Sequence, residues 1–107
     1  MADPYVVVAT MIAKPGQEEL VEKTLTAAAA AVHAEPGCLL YALHRKTGTT
    51  GHFVMIEKWA SKEALHTHGR SAALRHIGEA LGNALTGPAD ILVFDPLPAG
   101  DREIGAV

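Results

Sequence analysis

Apolar positions along this chain fall in runs whose periods switch between those of strands and those of helices. Residues 5–13 are polar only at Thr10, a pattern that predicts a strand covered on both faces. Lys14-Pro15-Gly16 breaks the run, and over residues 17–34 Leu20, Leu25, Ala28, Ala29 and Val32 recur at helical spacing. The alanine run 27–31 favours helix and lets the backbone lie close to a sheet. Glu35-Pro36-Gly37 should end this helix, since the residue before proline is driven out of the helical region and glycine supplies a permissive turn. Residues 38–46 and 51–59 read as an antiparallel hairpin joined by Thr47-Gly48-Thr49-Thr50, at or near the sheet centre. Ser61 is expected to cap a second helix, with Glu63 in its first turn. Gly69 interrupts that helix, and Leu74, Ile77, Leu81 and Leu85 restore a core stripe, which predicts a short helix, a bend and a longer helix. Gly87-Pro88 stops it, residues 89–94 form a last strand, and the stretch from about residue 96 has only Leu97, Ile104 and Val107 to bury. That end reads as an arm or a disordered tail.

The order strand, helix, strand, strand, helix, strand is the split arrangement of an α+β, ferredoxin-like βαββαβ protomer, an antiparallel sheet with its helices on one face. Strands apolar on both sides then leave one face without cover, which a second copy would supply, so a homodimer is expected. The 107 residues suit one domain over 1–107, and 49% apolar with 20% charged residues argues against disorder. A formal charge of −3 and cations scattered without a stripe make nucleic acid a poor partner. Residues 5–13 are too few to span a bilayer and carry no basic leader, so no membrane association and a cytoplasmic location are expected. Cys38 is the single cysteine and reads as a structural thiol.

Chemistry-bearing residues gather on the third strand. A period of two places Phe53, Met55, Glu57 and Trp59 on one face. With a four-residue connection Cys38, Leu40, Ala42 and His44 share it, although a slip of one residue exchanges the set. A carboxylate buried under the second helix needs a partner, and His68 is the nearest candidate in sequence, forming an acid/base pair with Glu57. Tyr41 offers a hydroxyl for a phenolic ligand. The plainer readings are a core anchor for Trp59, a rim position for Glu57 and a local hydrogen bond for His68. Six histidines raise the question of a metal, but His66 and His68 are two apart on a helix, and His44 and His52 fall on opposite sheet faces in that register. No glycine-rich phosphate loop or serine nucleophile elbow occurs, so the sequence calls for no cofactor.

Three stretches together resemble the antibiotic biosynthesis monooxygenase family. They are Ala13-Lys14-Pro15-Gly16-Gln17-Glu18 after strand one, Glu35-Pro36-Gly37-Cys38-Leu39-Leu40-Tyr41 into strand two, and residues 53–68. The last is similar to the family's Glu-x-Trp, here Glu57 and Trp59, followed nine residues after the Trp by a histidine, here His68. The resemblance implies a dimeric α+β barrel and a chemistry ranging from cofactor-independent oxidation of quinols and anthrones through haem degradation to isomerisation. The Asn of haem-degrading members falls on Ala9 or Thr10 here, which disfavours that branch. A second histidine carried by many members is replaced by Ser71-Ala72-Ala73, with His76 one turn later as a stand-in. The expectation is therefore a cofactor-independent monooxygenase using molecular oxygen on a small electron-rich aromatic or quinol. His68, Trp59 and Glu57 are its catalytic candidates, and Tyr41, His44, Phe53, Met55 and His76 its substrate-binding ones. The rivals are a non-catalytic small-molecule-binding or stress-response dimer, and an isomerase using the same pocket.

Overall fold

A computed structural model describes residues 4–107. Its elements are β1 (Tyr5–Ile12), α1 (Glu18–His33), β2 (Cys38–Arg45), β3 (His52–Trp59), α2 (Lys62–Gly69), α3 (Ala72–Leu81) and β4 (Asp90–Phe94). The four strands form one antiparallel sheet in the order β2-β3-β1-β4. This is the ferredoxin-like α+β fold, with the two apolar strands β1 and β3 at the centre. The hairpin is therefore only half central, because β2 is an edge strand.

One sheet face carries Val7, Ala9 and Met11 from β1, with Phe53, Met55, Glu57 and Trp59 from β3, all buried. The helices pack on that face. In α1 the stripe is Val21, Leu25, Ala28 and Val32, spaced i, i+4, i+7 and i+11 as a buried helical face requires. Leu20, expected on that stripe, points outward and is 44% exposed, and Ala29 is only half-buried. The predicted bend in the second helical region occurs at Arg70-Ser71. There the Ser71 hydroxyl accepts the Leu74 N–H and starts α3 as a new helix, as the Ser61 hydroxyl does for α2 through the Ala64 N–H. Leu85 lies beyond α3 and not on its stripe, in an isolated bridge to Ala13.

The strand pairing corrects the expected register of β2. Tyr41 pairs with Glu57, Leu43 with Met55 and Arg45 with Phe53, so these residues, and not Leu40, Ala42 and His44, share the helix-covered face. The hairpin closes one residue away from the symmetric placement, and a slip of one residue exchanges the faces. Cys38 remains opposite Trp59 because an irregularity between Cys38 and Leu40 inserts an extra residue.

The opposite sheet face presents Val6, Val8, Val54 and Ile56, all half-buried, with Ile12, Leu92 and Phe94 exposed. The last segment has no regular secondary structure but holds a turn in which the Asp101 carboxylate accepts the Glu103 and Ile104 N–H groups. Lys58 Nζ donates to the Val107 carbonyl at 2.9 Å. Among the described residues, no helix is long and apolar enough to cross a membrane.

Candidate functional site

Glu57 and Trp59 lie two residues apart on β3 and so project from the same side of the strand. The Trp59 ring is fully buried, and its Nε1–H donates to Glu57 Oε1 at 2.9 Å. Two residues later the Ser61 cap turns the chain into α2, which folds back and brings His68 over the strand. The imidazole stacks on the indole, with centroids 4.3 Å apart and planes 28° from parallel. Tyr41, opposite Glu57 on β2, meets the same imidazole edge-on at 5.6 Å.

A fifth polar group comes from the turn after α1. Glu35 is held there by its N–H to the Val32 carbonyl, while the Cys38 N–H bonds to the Glu35 carbonyl and the Ala60 N–H to the Gly37 carbonyl. Gly37 has φ +79°, and a Cβ on it would stand 2.5 Å from Ala64 Cβ. Glycine is thus what lets this turn lie against α2, one helical turn before His68. The contact brings Glu35 Oε1 to 2.9 Å from His68 Nδ1. His68 Nε2 is 3.7 Å from Glu57 Oε1, close enough for charge attraction but too long for a hydrogen bond. The expected Glu57–His68 pair is therefore a close approach without a hydrogen bond, and each member hydrogen-bonds elsewhere: Glu57 to Trp59, His68 to Glu35.

Burial pushes the Glu57 carboxyl above its ordinary range; the Trp59 N–H and His68 oppose the rise and the Glu35 carboxylate adds to it. Burial also raises the Tyr41 phenol, reinforced by Glu57 and then Glu35, so its hydroxyl stays protonated at neutral pH. These groups form the polar end of a cavity of about 720 Å³ between the sheet and α3, with α2 contributing Leu65, His68 and Gly69. Its walls are apolar, led by Val7, Ala9, Met55, Ile77 and Leu81, and no Lys or Arg lines it among the described residues. Gly78 on α3 and Gly82 at its C-terminal cap face it, and a Cβ on Gly78 would meet open space. The cavity thus lies beneath the second helical region, mostly under α3.

The structure brings His68, Glu57, Tyr41 and Met55 to this cavity. Trp59 stands behind His68 and braces it without lining the space. Phe53 is packed in the core beneath the Arg45 guanidinium, 5.4 Å from its ring, and lies outside the lining. His44 belongs to the other face, opposite Val54, because the register is shifted by one. His76 is exposed on α3 while its neighbour Ile77 takes the inward position, so it does not replace the missing second histidine. Among the described residues no three His, Cys, Asp or Glu side chains cluster as a metal site. Glu35 was missed. Its one sequence signal is an acidic residue just past the C-terminus of a helix, where the helix dipole disfavours negative charge.

The model of the antibiotic biosynthesis monooxygenase family matches residues 4–80, a span that contains every polar group of this site. The chain belongs to the antibiotic biosynthesis monooxygenase family. A curated relative from Mycobacterium tuberculosis, "Putative monooxygenase Rv0793", is 29% identical over 97 residues, covering 91% of this chain and 95% of the relative. PA3566 from Pseudomonas aeruginosa has a solved structure similar at TM-score 0.84 and 32% identity, over 91% of this chain and 97% of that one. The solved structure of a "putative antibiotic biosynthesis monooxygenase" from Caulobacter crescentus is 33% identical at TM-score 0.82, over 90% and 92% of the two chains.

Proposed function

We propose that this protein is a cofactor-independent monooxygenase, and that it oxidises a small, uncharged, electron-rich aromatic or quinol in the cavity under α3. The observation that carries this reading is the imidazole of His68, buried at the one polar end of an otherwise apolar space and next to a carboxyl that burial drives towards neutrality. A substrate with its ring against Met55 and Ile77 would place a phenolic or activated C–H group near His68. The imidazole takes that proton, and the apolar walls exclude the water that would otherwise solvate and quench the anion. The substrate anion gives one electron to molecular oxygen, the radical pair combines to a peroxide anion, and the His68 imidazolium returns its proton to make the hydroperoxide. Loss of water from it leaves one oxygen atom as a substrate carbonyl and the other as water, so the four electrons needed to reduce oxygen come from the substrate. With no Lys or Arg in the lining among the described residues, carboxylated or phosphorylated substrates are disfavoured.

A homodimer in the cytoplasm, packed through the sheet face without helices, completes the proposal. Its support is the apolar character of that face, with Ile12, Leu92 and Phe94 exposed around a centre of Val8, Val54 and Ile56. Light scattering at micromolar concentration is expected to return twice the chain mass, and Ile56→Lys to return the monomer; a wild-type monomer rejects the dimer.

An oxygen-electrode screen of quinols and anthrones tests the chemistry. Oxygen uptake is expected, with His68→Ala slowing it a hundredfold or more. Turnover by His68→Ala at the wild-type rate overturns the base assignment. An isomerised product without oxygen uptake favours the isomerase, and saturable binding without any product favours the binding protein.

A further inference from the structure

Stacking on Trp59 and the edge of Tyr41 fix the plane of the His68 ring, but they leave open which ring nitrogen carries the proton. A neutral imidazole has one N–H and one lone-pair nitrogen, and the group bonded to one nitrogen decides the role of the other. An ionised carboxylate only accepts hydrogen bonds. We propose that Glu35 is a positioning residue that holds His68 as the Nδ1–H tautomer, presenting the lone pair of Nε2 to the cavity. The proposal rests on the reading of His68 as the base of the site.

Three observations carry it. The 2.9 Å separation of Nδ1 and Glu35 Oε1 is that of a hydrogen bond, whereas the 3.7 Å from Nε2 to Glu57 Oε1 is not. Glu57 lines the cavity and Glu35 does not, so the Nε2 edge is the one turned towards a ligand. Glu35 Oε2 is buried with no hydrogen-bond partner among the described residues, and the carboxylate sits past a helix C-terminus. A carboxylate placed there for stability alone would be poorly compensated. Among the described residues its one side-chain hydrogen bond goes to the histidine, the arrangement by which a buried acid selects a tautomer in other acid/base sites.

The test is nitrogen NMR of the full chain labelled with ¹⁵N-histidine, recorded at rising pH until the ring signals no longer move, with His68→Gln used to identify the His68 signals. In the wild type, Nδ1 of His68 is expected at the protonated position and Nε2 at the lone-pair position. In Glu35→Ala the pattern is expected to move to the Nε2–H form, while the signals of exposed His66 and His76 stay in place as a control for folding. A wild-type His68 in the Nε2–H form, or an unchanged tautomer in Glu35→Ala, overturns the proposal; the wild-type spectrum decides the first point even if no Glu35 variant folds. The readout needs no substrate, so a failed oxygen-uptake screen and a failed tautomer assignment remain separate results.

Discussion

Replacing Gly37 with alanine tests the link between the α1–β2 turn and the site. The new Cβ meets two penalties. At φ +79° an L-residue in the left-handed region costs about 1–2 kcal/mol. The 2.5 Å approach to Ala64 Cβ lies more than an ångström inside the ordinary contact separation of roughly 3.5–4.0 Å. Relief requires α2 to move off the turn, an overpacking cost of about 1–3 kcal/mol. The sum is about 2–5 kcal/mol, read as a shift in the urea midpoint at constant slope. Ala64→Gly alone should cost about 1 kcal/mol or less through helix propensity. In the double variant the clash is gone and the backbone strain remains, so the total is expected at about 1–3 kcal/mol, below the sum of the single changes. A Gly37→Ala variant within about 0.5 kcal/mol of wild type, or a double variant that is additive to that margin, would refute the reasoning. Because Ala64 and His68 lie one turn apart on α2, the same substitution should also lengthen the contact between His68 and Glu35.

Further outcomes follow from the site. Glu57 binds its proton more tightly in the folded chain than at the ordinary 4.5, so wild-type stability should fall as pH rises from that value through the folded one. Glu57→Gln does not titrate, and its stability relative to wild type should improve over that window and be constant below it; the opposite trend in pH-dependent urea melts contradicts the raised carboxyl. Trp59→Phe keeps a ring under His68 but removes the donor to Glu57, which should cost about 1–3 kcal/mol and drive the Glu57 carboxyl still higher; an unchanged pH profile and melting temperature count against the bond. Gly78→Ala fills open space on a helix and should stabilise by about 0.5–1 kcal/mol while weakening ligand binding, because its methyl enters the cavity; tighter binding of a ligand found in the screen would show that the cavity is not the site.

Local patterning determined most of the fold. Continuous apolar runs, the breaks at Lys14-Pro15-Gly16 and Glu35-Pro36-Gly37, and the serine cap at Ser61 each act within a few residues, so the elements and their order could be read directly. Glu57 and Trp59 could be placed on one face for the same reason, since a strand alternates with a period of two regardless of its neighbours. The tertiary structure decided everything that depends on one segment meeting another. A one-residue shift in the hairpin moved His44 out of the site and made Tyr41 the neighbour of Glu57. The inward turn of α3 took Ile77 and left His76 in solvent. Glu35, 33 residues from His68, became its partner only through the close approach that Gly37 allows. Hydrophobic periodicity reports which side of an element is buried; it carries no information about which polar atom from a distant turn arrives there, and that meeting sets the geometry of His68.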